Sequence, residues 1–267
     1  MIVIQGFRRE PWDEPIRSDR FRVASDCAAV AEQAARGAAG CDRRVLNGIF
    51  WVLRSGAPWR DLPERYGPRT TCYNRFVRWR RAGVWDRLMD AISAAYDGDI
   101  QMIDSTSIRA HQQAATLKRG GRDHCLGRSR GGLTTKIHAV VDAQGLPVRL
   151  GLTAGQAHDA PAALGLLDRL APRTIVLGDK AYDAGSIRDL IEAQSAVPNI
   201  PAKSNRKWKP CFSKVLYRER NLVERFVSKL KHFRGIATRY DKLAENFLAM
   251  VKLASMRLWL RAYESTA

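Results

Sequence analysis

Two aspartates follow apolar runs, at positions where a carboxylate side chain could hold a metal ion. Asp104 directly follows Met102 and Ile103 at the expected end of a first strand, and Asp179 follows a second apolar run at 175–177. A carboxylate placed there is costly unless it faces solvent or a cation. On neighbouring strands, two such groups repel each other and favour a divalent cation between them. Taken singly, each is also explained as a surface aspartate where a strand meets a loop.

A third acidic candidate, Glu224, lies in a segment that is predicted to be one helix over about 216–233. At 3.6 residues per turn, Tyr217, Arg220, Glu224 and Lys231 share an arc of about 60° on that helix. The apolar residues of the segment lie on a different face, so the helix is amphipathic. A lone acid among basic side chains is suited to a metal site beside DNA; the alternative is a simple pair with an arginine.

Alternating strands and helices are predicted to position these acids. Apolar periodicity and turn residues separate the elements clearly after residue 98. The predicted strands lie at 99–108, 134–142, 148–155, 174–179 and 196–202, and the predicted helices at 159–170, 183–194, 216–233 and 242–262. This order predicts a mixed α/β fold, with a mixed five-stranded sheet flanked by helices on both faces.

Residues 42–97 are predicted to form an all-helical domain that resembles a helix-turn-helix module. Three amphipathic runs occur there; Gly56 and Pro58 end the first, and Thr70 or Thr71 caps the second. The second run also carries four arginines that are expected to contact DNA: Arg75, Arg78, Arg80 and Arg81. The alternative is a plain three-helix cap whose arginines face solvent.

Two stretches have weaker patterns. Residues 1–41 predict no packed element beyond a short helix near 24–36. Residues 118–136 are rich in Gly and Arg and predict a mobile basic loop, in which Arg128 and Arg130 are candidates for DNA contact.

The composition favours a polyanionic partner. Among 267 residues, 45 Lys and Arg stand against 27 Asp and Glu, a net charge of +18, which favours nucleic acid. No apolar run reaches the roughly 18 residues of a membrane helix, and the N-terminus does not resemble a signal peptide. Five scattered cysteines without a CxxC pair argue against a zinc site and favour a reducing, cytoplasmic location.

Four blocks of the sequence resemble the DDE transposases of bacterial insertion sequences, most closely the group called insertion sequence five. The likeness runs from about residue 42 to 262, and the blocks occur in the right order. They are DRRVLNGIFWVLRSGAPWRDLPERYGPRTTCYNRFVRWRRAGVW from residue 42, IDSTSIRAH around Asp104, VLGDKAYD around Asp179, and Tyr217-x2-Arg220-x3-Glu224-x6-Lys231. Each block alone is a weak signal, and the combination is specific.

The resemblance implies an RNase H-like catalytic domain over 98–267, with Asp104, Asp179 and Glu224 as an acidic triad that holds two Mg²⁺ ions. Mn²⁺ would substitute for Mg²⁺. We assign Asp104 to both ions and each of the other acids to one. Water would cut the end of the element, and the freed 3′-OH would then attack target DNA at the same ions.

The resemblance also assigns roles near the triad. Tyr217, Arg220 and Lys231 carry over as residues that handle DNA near the metal ions. Lys180 in the block around Asp179, and His158 and Asp159 in a further block (GQAHD), are site-adjacent. For His158, the alternative is a loop histidine that stabilises the turn before Pro161.

The implied partners are the element's ends and target DNA, held by a homo-oligomer in the bacterial cytoplasm, at the nucleoid. Residues 1–41 lack the Trp-containing helix and basic linker that the family carries there, so an inactive or domesticated copy that only binds DNA is an alternative. Another RNase H-like nuclease is less consistent with the helical N-terminal region. A covalent tyrosine mechanism through Tyr217 lacks the companion residues of that class.

Overall fold

The computed structural model of the protein describes residues 39–94, 99–115 and 124–266. Its helices are α1 (Ala39–Ser55), α2 (Arg69–Arg81), α3 (Val84–Ser93), α4 (Asp159–Leu166), α5 (Gly185–Ala193), α6 (Lys214–Arg218), α7 (Asn221–Lys231), α8 (Arg234–Ala237) and α9 (Ala244–Thr266). Its strands are β1 (Ile100–Ala110), β2 (Gly127–Ser129), β3 (Gly132–Asp142), β4 (Pro147–Ala154), β5 (Ile175–Leu177), β6 (Val197–Asn199) and β7 (Thr238–Arg239). The predicted helix near 24–36 and the stretch 118–123 of the predicted basic loop lie outside the described residues.

The strands form one mixed sheet in which the five predicted strands have the order β4-β3-β1-β5-β6. Strand β3 is antiparallel to β1 and β4, whereas β5 and β6 run parallel to β1. A mixed sheet of this kind agrees with the RNase H-like core that the resemblance implied. Two short strands were not predicted: β2 pairs with the start of β3, and β7 pairs with the end of β1.

Successive side chains of the central strands are buried in cores on opposite faces of the sheet. Met102 of β1 and Leu177 of β5 belong to a large core that includes α7 and α9, and the neighbours Ile103 and Val176 belong to a smaller core with α4 and α5. Since successive strand residues point to opposite faces, the two apolar neighbours in each strand require helices on both sides. The predicted mixed α/β fold is confirmed.

The helical segment before the sheet packs into the larger core. Val45 and Ile49 of α1, Phe76 of α2 and Trp85 of α3 are buried in the same cluster as residues of the sheet and of α9. The helices therefore do not pack only among themselves. The division of the chain into segments at 41/42 and 97/98 stays a prediction.

Two local expectations for this helical segment had different outcomes. Helix α1 ends at Ser55 before Gly56, whose φ of +67° lies in the left-handed region that favours glycine, as predicted. The prediction that Thr70 or Thr71 caps the second helix is wrong. Helix α2 begins at Arg69 directly after Pro68, so both threonines lie inside the helix.

Two further predictions are corrected by the structure. The segment 118–136 is not a loop throughout, because Gly127–Ser129 and the first residues of β3 form an antiparallel hairpin. The single helix predicted at about 216–233 is instead two helices, α6 and α7, and the short helix α8 follows them. In the described parts of the chain, none of the helices is both long enough and apolar enough to cross a membrane.

Candidate active site

Asp104 lies in the middle of β1, so the prediction that it ends this strand is wrong. The strand continues to Ala110 because the polar residues after Asp104 extend the antiparallel ladder with β3, where Asp104 lies opposite Ala139. Its side chain is 21% exposed, and it points to the sheet face on which α7 packs, since it contacts Arg220 at the start of that helix.

Asp179 lies two residues beyond the end of β5 at Leu177, so the strand is shorter than the predicted 174–179. Because β5 is the parallel neighbour of β1, with Leu177 opposite Met102, the two aspartates lie close to the same part of the sheet. The Asp179 carboxylate accepts a hydrogen bond of 2.9 Å from the backbone N–H of Ala181 and so caps the short turn that follows. Its negative charge also acts on Asp104, since it contributes to a raised pKa there.

Glu224 lies in the first turn of α7, while Tyr217 lies on α6, so the two do not share one regular helix. Between them the backbone bonds tighten to the three-residue spacing: the N–H of Arg220 donates to Tyr217 O at 3.1 Å, and the N–H of Val223 donates to Arg220 O at 3.1 Å. This tight turn places Arg220 at the beginning of α7.

One guanidinium joins two of the three acids. Arg220 Nη1 lies 2.8 Å from Asp104 Oδ2, and Arg220 Nη2 lies 2.7 Å from Glu224 Oε1. The other oxygen of Asp104, Oδ1, accepts the backbone N–H of Ser105 at 2.8 Å. Two carboxylates from distant parts of the chain therefore meet at a single positive charge.

The Asp104 carboxylate is partly buried, and this burial changes its pKa. Burial raises the pKa of Asp104 above its usual range, and the nearby charge of Asp179 adds to this rise, whereas the Ser105 N–H and Arg220 oppose it. An acid with a raised pKa gains most from a close cation, because the cation restores the favourable interactions that the charged form has lost.

The donor atoms suit a hard divalent cation, although they do not form a closed cage. Carboxylate oxygens are the ligands that Mg²⁺ prefers in proteins. Asp104 and Glu224 already share one cation, the Arg220 guanidinium. Within residues 39–94, 99–115 and 124–266, however, no group of three or more His, Cys, Asp or Glu side chains is close enough together to hold a metal ion.

Comparison with protein-family models decides the family. A model described as "Transposase DDE domain" matches residues 95–259, and one described as "Putative transposase of IS4/5 family" matches residues 21–89. The chain belongs to the DDE transposases of insertion sequences. The resemblance in the four sequence blocks is thus confirmed at the level of the family.

Individual relatives of this transposase are bacterial. It is 42% identical over 130 residues to the "Putative transposase for insertion sequence element IS6501" of Brucella ovis, which covers 48% of this chain and 100% of the relative. It is 37% identical over 109 residues to "Uncharacterized protein y4sN" of Sinorhizobium fredii, covering 40% and 87%. Among solved structures, a piggyBac transposase synaptic complex shares 13% identity over 91% of this chain and 72% of that chain, with a TM-score of 0.45.

The other two residues of the fourth sequence block, Tyr217 and Lys231, lie on either side of Arg220 and Glu224 along the chain. The half-buried ring of Tyr217 lies 5.7 Å from the Arg220 guanidinium and 5.2 Å from the ring of Phe212. Lys231 is exposed at the end of α7, two helical turns beyond Glu224 and therefore on a similar face. The break between α6 and α7 does not separate Arg220 from Glu224, which keep an i,i+4 pair.

The site-adjacent candidates have different environments. His158 and Lys180 are exposed. Asp159 is half-buried on the opposite sheet face from Asp104; its Oδ1 accepts Lys136 Nζ at 2.9 Å and the Ser105 hydroxyl at 3.1 Å. Ser105 therefore connects the Asp159 cluster directly to the neighbouring Asp104.

The arginines predicted to contact DNA fall into two groups. Arg75 pairs with Asp42 at 2.6 Å and Arg80 pairs with Glu245, so these two side chains are held within the protein. The others are exposed: Arg78, Arg81, Arg128 and Arg130. Arg128 lies in β2, where it pairs with Leu133 of β3, and Arg130 lies in the turn that follows β2.

Sequence reasoning missed a partly buried cluster of polar side chains around Asp159. Lys136 and His138 occupy alternate positions of β3 near Asp159, and burial lowers the pKa of His138. Tyr182, a residue only 1% exposed, lies close to this cluster, and burial together with the negative charge of Asp159 raises the pKa of its hydroxyl. Polar residues at every second position of an otherwise apolar strand, as in TTKIHAVVD, were the available signal.

It also missed the segment that links β6 to α6. Over residues 200–213, Lys203 N and Arg206 Nε both donate to the buried carboxylate of Asp183, at 2.7 and 3.0 Å. At its far end, Asn199 and Ser213 exchange hydrogen bonds. The anchored segment presents Trp208, which is 72% exposed, between two exposed lysines.

Proposed function

We propose that this transposase cleaves the ends of its insertion sequence and joins them to target DNA, with Asp104, Asp179 and Glu224 as its acidic triad. The observation that carries this proposal is the meeting of Asp104 and Glu224 at the Arg220 guanidinium, 2.8 and 2.7 Å away, beside the strand that leads to Asp179. Carboxylates that gather around one cation are suited to hold others.

The triad would hold two Mg²⁺ ions, with Mn²⁺ as a substitute. Carboxylate donors support this choice, because Mg²⁺ prefers oxygen ligands. When bound, the ions would polarise the scissile phosphate and activate the attacking hydroxyl. Asp104 is held for this task by the strand pairing on both sides of β1, and by the hydrogen bond from Ser105 to Oδ1.

Basic and aromatic side chains around the triad would orient the DNA backbone. Arg220 offers a planar pair of donors that matches a phosphate, and Lys231 adds a positive charge further along α7. Tyr217 packs against Arg220 and so limits the positions of its guanidinium. Lys180, exposed next to Asp179, lies where a phosphate could approach the second acid.

The DNA surface would extend beyond the triad to the exposed arginines of α2 and β2. The net charge of +18 supports contact with a long stretch of DNA backbone. Since two element ends must be cut and joined together, a homo-oligomer on DNA is part of the proposal, as is its place at the bacterial nucleoid.

The test uses the purified full chain and a duplex that carries the inverted repeat flanking its gene. With Mg²⁺, the wild type should nick the end of the repeat, whereas Asp104→Asn, Asp179→Asn and Glu224→Gln should lose cleavage and still bind the duplex. Arg225→Gln is the matched control, because Arg225 is exposed on α7 beside Glu224. Cleavage by the Asp104→Asn variant at the wild-type rate would refute the triad.

A further inference from the structure

Both oxygens of Asp104 are engaged by protein donors. Oδ1 accepts the Ser105 N–H at 2.8 Å, and Oδ2 accepts Arg220 Nη1 at 2.8 Å. Nη2 of the same guanidinium donates a hydrogen bond to Glu224 Oε1 at 2.7 Å. A divalent ion that binds Asp104 and Glu224 must therefore displace Arg220 or bear its positive charge at close range, which is unfavourable.

The Arg220 side chain has a competing partner when DNA is present. It extends from the turn before α7 and is 16% exposed, so its guanidinium can be reached from solvent. A guanidinium binds phosphate through two parallel hydrogen bonds, with the same geometry that it uses for carboxylates. A backbone phosphate near the triad can thus replace the two carboxylates as the partner of Arg220.

We propose that Arg220 is a positioning residue that couples metal binding to DNA binding in this site. Without DNA its guanidinium takes the place of a cation between Asp104 and Glu224. When the guanidinium instead forms an ion pair with a phosphate of bound DNA, the two carboxylates become available to divalent ions. This inference rests on the proposed function, because it requires that the acids bind the ions.

Linkage between the two ligands makes the proposal quantitative. If DNA raises the affinity for the ion by some factor, the ion must raise the affinity for DNA by the same factor. Removal of the guanidinium should raise the affinity for the ion in the absence of DNA and abolish this mutual effect. A residue that only stabilised the fold would move neither quantity in this direction.

The experiment measures Mn²⁺ binding to the full chain without DNA, by the loss of the free-ion electron paramagnetic resonance signal. Arg220→Gln is expected to bind Mn²⁺ about tenfold more tightly than the wild type, a size typical of coupling between sites. Arg225→Gln removes the same charge from a neighbouring exposed position of α7 and should change the affinity much less. Equal or weaker binding by Arg220→Gln would overturn the proposal.

A second variant guards against a failure to fold. Arg220→Lys keeps the charge but cannot bond both carboxylates with a planar fork, so its affinity for Mn²⁺ should lie between those of Arg220→Gln and the wild type. A native thermal transition qualifies each variant. If Arg220→Lys folds and binds Mn²⁺ no better than the wild type, the proposal is wrong.

Two more arms separate this inference from the proposed function. A short duplex should raise the Mn²⁺ affinity of the wild type, after correction for ions held by the duplex alone, but not that of Arg220→Gln. Adding Glu224→Gln to Arg220→Gln should remove the gained affinity. If the double variant still binds Mn²⁺ tightly, the assignment of Glu224 as a metal ligand fails; if it does not, but DNA has no effect on the wild type, only the coupling fails.

Discussion

The hydroxyl of Ser105 donates a hydrogen bond of 3.1 Å to Asp159, and this bond ties the cluster on one sheet face to the acid on the other. The backbone N–H of the same serine donates to Asp104 at 2.8 Å. Asp159 is itself held by Lys136 Nζ at 2.9 Å, and Lys136 also donates to Ala157 O. The position of Asp104 is thus linked, through Ser105, to side chains on the opposite face of the sheet.

We therefore expect Asp159→Asn to lower the rate of DNA-end cleavage roughly 10- to 100-fold, the usual effect of losing a group that orients a metal ligand. The asparagine keeps the size of the side chain but loses the ion pair with Lys136. The assay is cleavage of a labelled repeat duplex at saturating Mg²⁺. His158→Ala is the control, because His158 is adjacent but exposed. A wild-type rate for Asp159→Asn would show that the cluster has no influence on the site.

The arginines of α2 should separate into two kinds by their effects. Because Arg78 and Arg81 are exposed, the double change to alanine should weaken DNA binding and reduce the slope of log affinity against log salt by about 2. Binding is measured by fluorescence anisotropy over a range of salt concentrations. An unchanged salt slope would exclude these two side chains from the DNA surface.

Arg75→Ala serves as the matched comparison on the same helix. Arg75 pairs with Asp42 at 2.6 Å and lies over the ring of Trp79. Its loss should lower the free energy of unfolding by about 1–2 kcal/mol, measured in urea, and leave the salt slope unchanged. A reduced salt slope for Arg75→Ala would mean that this ion pair opens to bind DNA.

Local patterns in the sequence predicted most of the elements, because each element buries a periodic apolar face. Val45, Ile49 and Val52 define α1, and the apolar pair Met102 and Ile103 defines β1 at the centre of the sheet. The alternation of strands and helices along the chain predicted the mixed sheet with helices on both faces. These features depend on neighbours in sequence, which a single chain displays directly.

The sequence was less informative where distant parts of the chain meet and where a regular helix is interrupted. The place of Asp104 in the middle of β1, and not at its end, depends on the long ladder with β3, which pairs residues 101–109 with 134–142. The prediction that Tyr217 and Glu224 share one helix face assumed a regular helix. Backbone hydrogen bonds between residues three apart interrupt that helix near Arg220. The proximity of Glu224 to an arginine was foreseen, but the same arginine's bond to Asp104 is a tertiary contact.

The segment that carries Trp208 should contact DNA bases. Trp208 is 72% exposed between Lys207 and Lys209, on a segment anchored to Asp183 near the second acid. A base stacked on an exposed aromatic ring contributes about 1–3 kcal/mol, so Trp208→Ala should weaken binding of single-stranded DNA about tenfold. Quenching of 2-aminopurine in the strand measures the stacking directly.

The control for this change is Val215→Ala. Val215 is 73% exposed on the neighbouring helix α6, where no stacking is expected. Both variants should keep the wild-type thermal stability, because neither side chain is buried. If Trp208→Ala binds single strands as well as the wild type, or alters the oligomeric state instead, the ring faces another protein surface and not DNA.

A final prediction concerns Asp241, which lies between β7 and α9. Burial raises the pKa of Asp241 from 3.8 to about 6, although the nearby Arg239 opposes the shift. Above about pH 6 the folded protein therefore holds a charged carboxylate that the unfolded chain solvates better. As the pH falls from 6 towards 3.8, the folded state takes up this proton first, and the penalty disappears.

Asp241→Asn should therefore stabilise the protein at about pH 7.5, by about 2 kcal/mol, and have little effect at about pH 4. Urea unfolding at the two pH values measures the difference in the free energy of unfolding. Asp90→Asn, at an exposed position of α3, should change neither value. A loss of stability at neutral pH for Asp241→Asn would contradict this prediction. It would mean that the attraction between the charged Asp241 carboxylate and Arg239 outweighs the cost of burying that charge.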